Sequence, residues 1–142
     1  MSIKDELIGP AVYEGAAIVT DAISERLSAV PTDESWGGTG DLKNGPRKIE
    51  LLGLQKSLGI AKLRDEDGFM NVKVGFDGYN GVKTAKWPKG QPNQMIARSV
   101  ERGTSFMQAN PVVKPAVSQT RKQVINTMKE KIDENIEKIM KG

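Results

Sequence analysis

The sequence contains neither cysteine nor histidine. Without cysteine there is no disulfide framework, no thiolate metal site and no thiol nucleophile. Without histidine there is no Ser-His-Asp triad, no imidazole ligand and no side chain that titrates near neutral pH unaided. Aromatics are scarce too, with two Trp, two Tyr and three Phe in 142 residues. That supplies a lean core for one domain, expected to span 1–142. No run approaches the roughly 18–20 apolar residues that cross a bilayer. The opening Met1-Ser-Ile-Lys-Asp-Glu6 carries acids where a secretory leader has a basic flank and then an apolar run. The expectation is a protein made and used without export, with no membrane partner and no cofactor. Lys and Arg number 21 against 18 Asp and Glu, a net charge of +3. An excess that small does not by itself announce a nucleic-acid binder.

What is present is periodic. Val12, Ala16, Val19, Ile23, Leu27 and Val30 recur at three- and four-residue steps and predict a helix from about Gly9 to Val30. Pro10 suits its first turn and Pro31 its stop, while Glu14, Asp21 and Glu25 occupy the solvated face. From Thr32 to Lys48 the pattern dissolves into a long loop punctuated by Gly37, Gly38, Gly40, Gly45 and Pro46. Trp36 within it either anchors the loop on the core or is held out for a partner. Leu51, Leu54 and Leu58 share one side of a short helix that Gly59 is expected to end. A hairpin is predicted over 60–77: a charged turn, Arg64-Asp-Glu-Asp-Gly68, precedes Met70, Val72, Val74 and Phe76 in strict alternation. A second irregular stretch, about 78–93, carries Lys83, Lys86, Trp87 and Lys89, a basic cluster around an aromatic. Gln94–Glu101 reads as a short helix or a third strand. Val113, Val117, Val124, Met128, Ile132, Ile136 and Ile139 mark a last helix between Pro111 and Met140, interrupted at Arg121. Pro111 and Pro115 fit only near its start, so regular hydrogen bonding is expected from about Lys114. The fold class is α+β: an N-terminal helix, a small antiparallel sheet built on a hairpin, and a long C-terminal helix packed on the sheet.

Candidate chemistry is thin. Gly37-Gly-Thr-Gly40 lacks the preceding strand and the Gly-Lys-Ser/Thr of a phosphate-binding loop. The acidic turn 65–68 lacks the spaced ligands and closing Glu of a calcium loop. Nothing pairs Glu50, Glu101 or Arg102 with a nucleophile or metal, so no enzyme is expected. The Lys83–Lys89 cluster offers stacking and phosphate contact, and equally a Trp87 anchor for a protein partner.

Two stretches carry a resemblance. Leu52-Gly-Leu-Gln-Lys-Ser-Leu-Gly-Ile60, a charged turn and Val72-Lys-Val-Gly-Phe76 form the first. Ala97-Arg-Ser-Val-Glu-Arg-Gly-Thr-Ser105 followed by Met107-Gln-Ala-Asn-Pro-Val-Val-Lys-Pro-Ala116 forms the second. They resemble the Gly-x-Leu-x-x-Ser-Ile … Val-x-Val-Gly and Glu-x-Gly-Thr … Met-x-Ala-x-Pro-Phe-Leu-Arg-Pro-Ala patterns of a tailed-phage family of minor tail, or head–tail joining, proteins. Val112 stands where that family has an aromatic, and Lys114 where it has Arg. The resemblance implies a structural virion protein of the neck or tail-completion ring. It implies six copies, or twelve on the portal side, with portal-side connector and tail terminator or tail tube as partners. It also implies assembly in the bacterial host cytoplasm, with DNA passing through the channel. The alternatives are a tail terminator subunit capping the tail tube and a small basic nucleic-acid-binding protein. In the structural reading Trp36, Lys83, Lys86, Trp87 and Lys89 face a partner or neighbouring subunit. Gly103, Thr104, Pro111 and Pro115 shape a turn and the start of the last helix. The loops at 32–48 and 78–93 are expected to order only against such neighbours, since fixing each backbone residue costs about 1–2 kcal/mol.

Overall fold

A computed structural model describes residues 3–36, 42–81 and 83–141, the side chains of residues 3 and 4 excepted. The expected Gly37–Gly40 loop therefore lies outside the described residues. Helix α1 spans Ile3–Ser28, with Ile23 and Leu27 buried on its core side and Glu14, Asp21 and Glu25 exposed. It starts well before the predicted Gly9, which places Pro10 inside the helix. Proline has no amide to give the carbonyl four residues back, and an interior proline normally breaks a helix for that reason. Here the Asn135 side-chain amide reaches the Glu6 carbonyl at 3.4 Å and the Leu7 carbonyl at 3.3 Å, so the acceptor Pro10 leaves open is satisfied from outside.

Asn135 belongs to helix α4, Val113–Lys141, which starts where the prolines predicted. Pro115 falls in its first turn, where amides have no intrahelical acceptor. Arg26 meets Gln119, Glu14 meets Lys131 and Glu6 meets Asn135, so α1 and α4 lie antiparallel. A Cβ on Gly15 would stand 3.0 Å from Met128 Sδ and 3.1 Å from Val124 Cγ1. Its bare backbone is what lets the two helices approach closely there. Two positions of the predicted apolar stripe are not buried: Ile136 is 40% and Ile139 42% exposed. The positions turned inward are Ala116 and Thr120, with Val124, Met128, Lys131, Ile132 and Asn135 half-buried. Thr120 fills the step at which Arg121 interrupts the apolar stripe, its hydroxyl donating to the Ala116 carbonyl at 2.7 Å.

Between these helices come α2 (Lys48–Ser57), strands β1 (Leu58–Ile60), β2 (Arg64–Glu66), β3 (Phe69–Asn71) and β4 (Val74–Phe76), then α3 (Asn93–Arg102). The sheet is antiparallel and hairpin-based. β1 pairs with β4 in register Leu58↔Phe76, and β2 with β3 in register Arg64↔Asn71. Between these two ladders, residues 61–63 on one arm face only 72–73 on the other, an irregularity of the β-bulge kind. The turn is tighter than predicted. Asp67 and Gly68 alone form it, with φ of 54° and 86°, as a two-residue loop requires. Gly59 also departs from expectation, lying inside β1, while α2 already ends at Ser57. The 94–101 segment is helix, with Ile96 and Val100 on its buried face. One core joins the layers: Ile23 and Leu27 of α1, Leu51 and Leu54 of α2, Phe76 of β4 and Ala116 of α4.

Candidate partner interface

The Glu-x-Gly-Thr stretch builds a joint. Glu101, near the end of α3, points both carboxylate oxygens at the start of α4. Oε1 accepts the amides of Val112 and Val113 at 2.7 and 2.8 Å, and Oε2 accepts that of Lys114 at 3.0 Å. These are amides the helix cannot bond itself, and an anion there also opposes the helix dipole. Burial works to raise the Glu101 pKa, but the three amides, with Lys114 nearby, outweigh it and hold the carboxyl below its ordinary value. Gly103 ends α3 at φ 75°, a conformation L side chains rarely adopt. Thr104 turns its Oγ to accept the amides of Phe106 and Met107, each at 3.1 Å. Met107 is thereby buried and pairs with Lys43 through a short parallel bridge. Pro111 is exposed just before α4. Gly103, Thr104, Pro111 and Pro115 are thus brought into one corner, and Val112 is buried there.

Glu50 is likewise occupied with backbone, accepting the Arg47 amide at 3.0 Å at the start of α2. No group of three or more Asp or Glu that could hold a metal occurs among the described residues.

The described parts of both long loops are tied within the chain. In 32–48, Trp36 is half-buried against the core, its Nε1 donating to the Gly45 carbonyl at 3.1 Å. The Arg47 guanidinium lies 5.6 Å from its ring centroid. Asp33 accepts from the Ser35 hydroxyl and amide and from the Asn44 amide at 3.0 Å. The Ser35 hydroxyl, then the Asn44 and Ser35 amides, hold its carboxyl down at about 2. Lys43 is buried, and its ammonium donates to the Ser35 carbonyl at 2.8 Å. Of the two readings of Trp36, the geometry is that of an anchor on the core.

The base of 78–93 is pinned by buried asparagines. Asn80 Nδ2 donates to Asn93 Oδ1 and to the Glu50 carbonyl, each at 3.2 Å, and Asn93 Nδ2 donates to the Asp77 carbonyl at 2.9 Å. Gly90, at φ 108°, passes so close to the Asn80 carbonyl that a Cβ would collide with it. Above this base Thr84 and Trp87 exchange backbone hydrogen bonds at 3.1 Å each. Trp87 is half-buried beneath the Lys86 ammonium, 5.9 Å from its ring centroid, whereas Lys83, Lys86 and Lys89 are exposed. Trp36 and Trp87 accordingly do different things: the first faces the core and the second rides on a protruding basic turn. Sequence reading overlooked the capping role of Glu101, the asparagine pair and Lys43. The Glu101 signal lay in its place shortly before a proline-marked helix start, and nothing local marks the other two.

No helix is long and apolar enough to cross a membrane among the described residues. Comparison of the chain with family models, curated proteins and solved structures gives no match.

Proposed function

We propose that the chain is a structural subunit of the neck or tail-completion ring that joins a phage tail to the head connector. The observation that carries this reading is the 101–116 segment. Its residues resemble the head–tail joining signature, and four of them do mechanical work in the fold. Glu101 caps α4, Gly103 turns the chain, Thr104 folds the following turn and Pro115 occupies the first turn of the helix. The acids that invited a catalytic reading, Glu50 and Glu101, are spent on helix starts. A cyclic ring uses heterologous contacts, so each subunit must present two unlike patches. Exposed large apolar side chains on separate elements support that: Phe69 beside the hairpin turn, Tyr79 in the 78–93 loop, Phe106 before Met107 and Met140 at the end of α4.

The test is deletion of the gene from its phage or prophage genome, followed by electron microscopy of the induced lysate. Filled heads and complete but unjoined tails are expected, with joining restored by the wild-type gene. Normal joined particles from the deletion would end the proposal.

A further inference from the structure

The net charge of +3 conceals a strong asymmetry. Between Gly78 and Lys129 stand nine cations: Lys83, Lys86, Lys89, Arg98, Arg102, Lys114, Arg121, Lys122 and Lys129. The only acid among them is Glu101, whose oxygens are both held by the start of α4. The rest of the chain carries twelve cations and seventeen acids. All nine cations are exposed, and the described ion pairs, Lys131 with Glu14 and Glu134 and Lys141 with Glu137, involve none of them.

Their placement is ordered. At about 100° per residue, Lys114, Arg121, Lys122 and Lys129 fall within an arc of about 100° on α4, and they extend over about 22 Å of its axis. Ala116 and Thr120, the buried positions, lie on the opposite side of the helix. Arg98 and Arg102 are one helical step of four apart on α3, which adjoins α4 at Glu101. The three loop lysines precede α3 on a turn held by the Asn80–Asn93 pair, so the charge is presented on a fixed base.

We infer that the basic stretch from Lys83 to Lys129, with the α4 stripe as its main element and the 83–89 turn as a second, binds the phosphate backbone of double-stranded DNA without reading its sequence. From Lys114 to Lys129 the helix carries cations with no carboxylate between them, which suits a uniform line of phosphates. A protein partner of ordinary kind would want an apolar anchor at the centre. Trp87 is instead half-buried under Lys86, Tyr79 stands at the foot of the loop outside the 83–89 turn, and the α4 stripe offers the single exposed Ile125 amid its cations. Lysines as mobile point charges accept phosphates at many geometries. The inference rests on charge and exposure alone and does not require the ring reading.

The experiment is fluorescence anisotropy with a labelled mixed-sequence duplex of about 30 base pairs, in salt between about 50 and 200 mM. With about four phosphates neutralised, affinity should fall about a hundredfold across that range. The triple variants Arg121→Gln/Lys122→Gln/Lys129→Gln and Lys83→Gln/Lys86→Gln/Lys89→Gln should each weaken binding about tenfold or more and flatten the salt slope. The control Lys56→Gln/Lys62→Gln/Lys73→Gln removes the same charge from exposed sites outside the stretch and should leave affinity unchanged. Melting curves for all three verify that they are folded. Absence of binding at the lowest salt overturns the inference, as does an equal loss in the control. Tighter binding of poly-glutamate than of DNA also overturns it and points to an acidic protein instead. None of these outcomes bears on whether heads and tails join in the deletion strain, so the two proposals fail separately.

Discussion

Asn135 hands to Glu6 the hydrogen bond that Pro10 withholds: its side-chain amide lies 3.4 Å from the Glu6 carbonyl, across the contact between α4 and α1. A proline in the second turn of a 26-residue helix is tolerated because a residue 129 positions from that carbonyl repairs the ladder. The two positions should therefore be coupled. Asn135→Ala should lower stability by about 0.5–1.5 kcal/mol, the net worth of an ordinary hydrogen bond. In a Pro10→Ala background the substituted residue regains a backbone amide that serves Glu6, and the same change should cost less. Denaturant melts of the two single variants and the double variant measure the difference, and additivity would refute the coupling.

Glu101 is the second position with a sharp expectation. Glu101→Ala removes the acceptor of three amides at the start of α4 and should destabilise by about 0.5–2 kcal/mol, the range of helix-cap losses. Urea denaturation followed by circular dichroism reads it. An unchanged midpoint would mean that water replaces the carboxylate without loss.

Acid stability follows from the same kind of carboxylate. Asp33 and Glu101 both sit below their ordinary values when folded, so unfolding takes up protons as pH falls. Their contribution is fully present well above the ordinary carboxylate range, where the unfolded groups are also ionised, and is lost as pH falls through the folded values, that of Asp33 being about 2. Glu101→Gln and Asp33→Asn should each flatten the stability-versus-pH curve in that acid window and leave its slope near neutrality alone. A curve parallel to wild type would show that the group's folded pKa is ordinary.

Glycine substitutions separate required from incidental sites. Gly90→Ala forces a Cβ into the Asn80 carbonyl at a positive φ and should cost about 1–3 kcal/mol. Gly75→Ala, in β4, meets nothing within 4 Å and should be neutral or slightly stabilising. Thermal melts that rank them the other way would contradict the described loop base.

Much of the architecture was legible because it rests on periodicity. The α1 stripe, the alternation from Met70 to Phe76 and the proline-marked start of α4 each encode one buried face. What was illegible depends on partners distant in sequence. Pro10 reads as a helix start until Asn135 is placed beside it. Ile136 reads as core until α1 is seen to meet Lys131 and Asn135 instead. Trp36 could be assigned only once Gly45 and Arg47 closed around it. The basic surface was legible in principle, but a whole-chain sum averages it against seventeen acids elsewhere.

The break in the hairpin bears on solubility in crowded conditions. A two-stranded ribbon exposes a backbone row on each outer edge, and such rows can recruit further strands from other molecules. Here each ladder is only three residues long, and the extra residue at 61–63 throws the halves out of step. An incoming strand in register with one half is out of register with the other. The ribbon is thus a poor template for strands from other molecules.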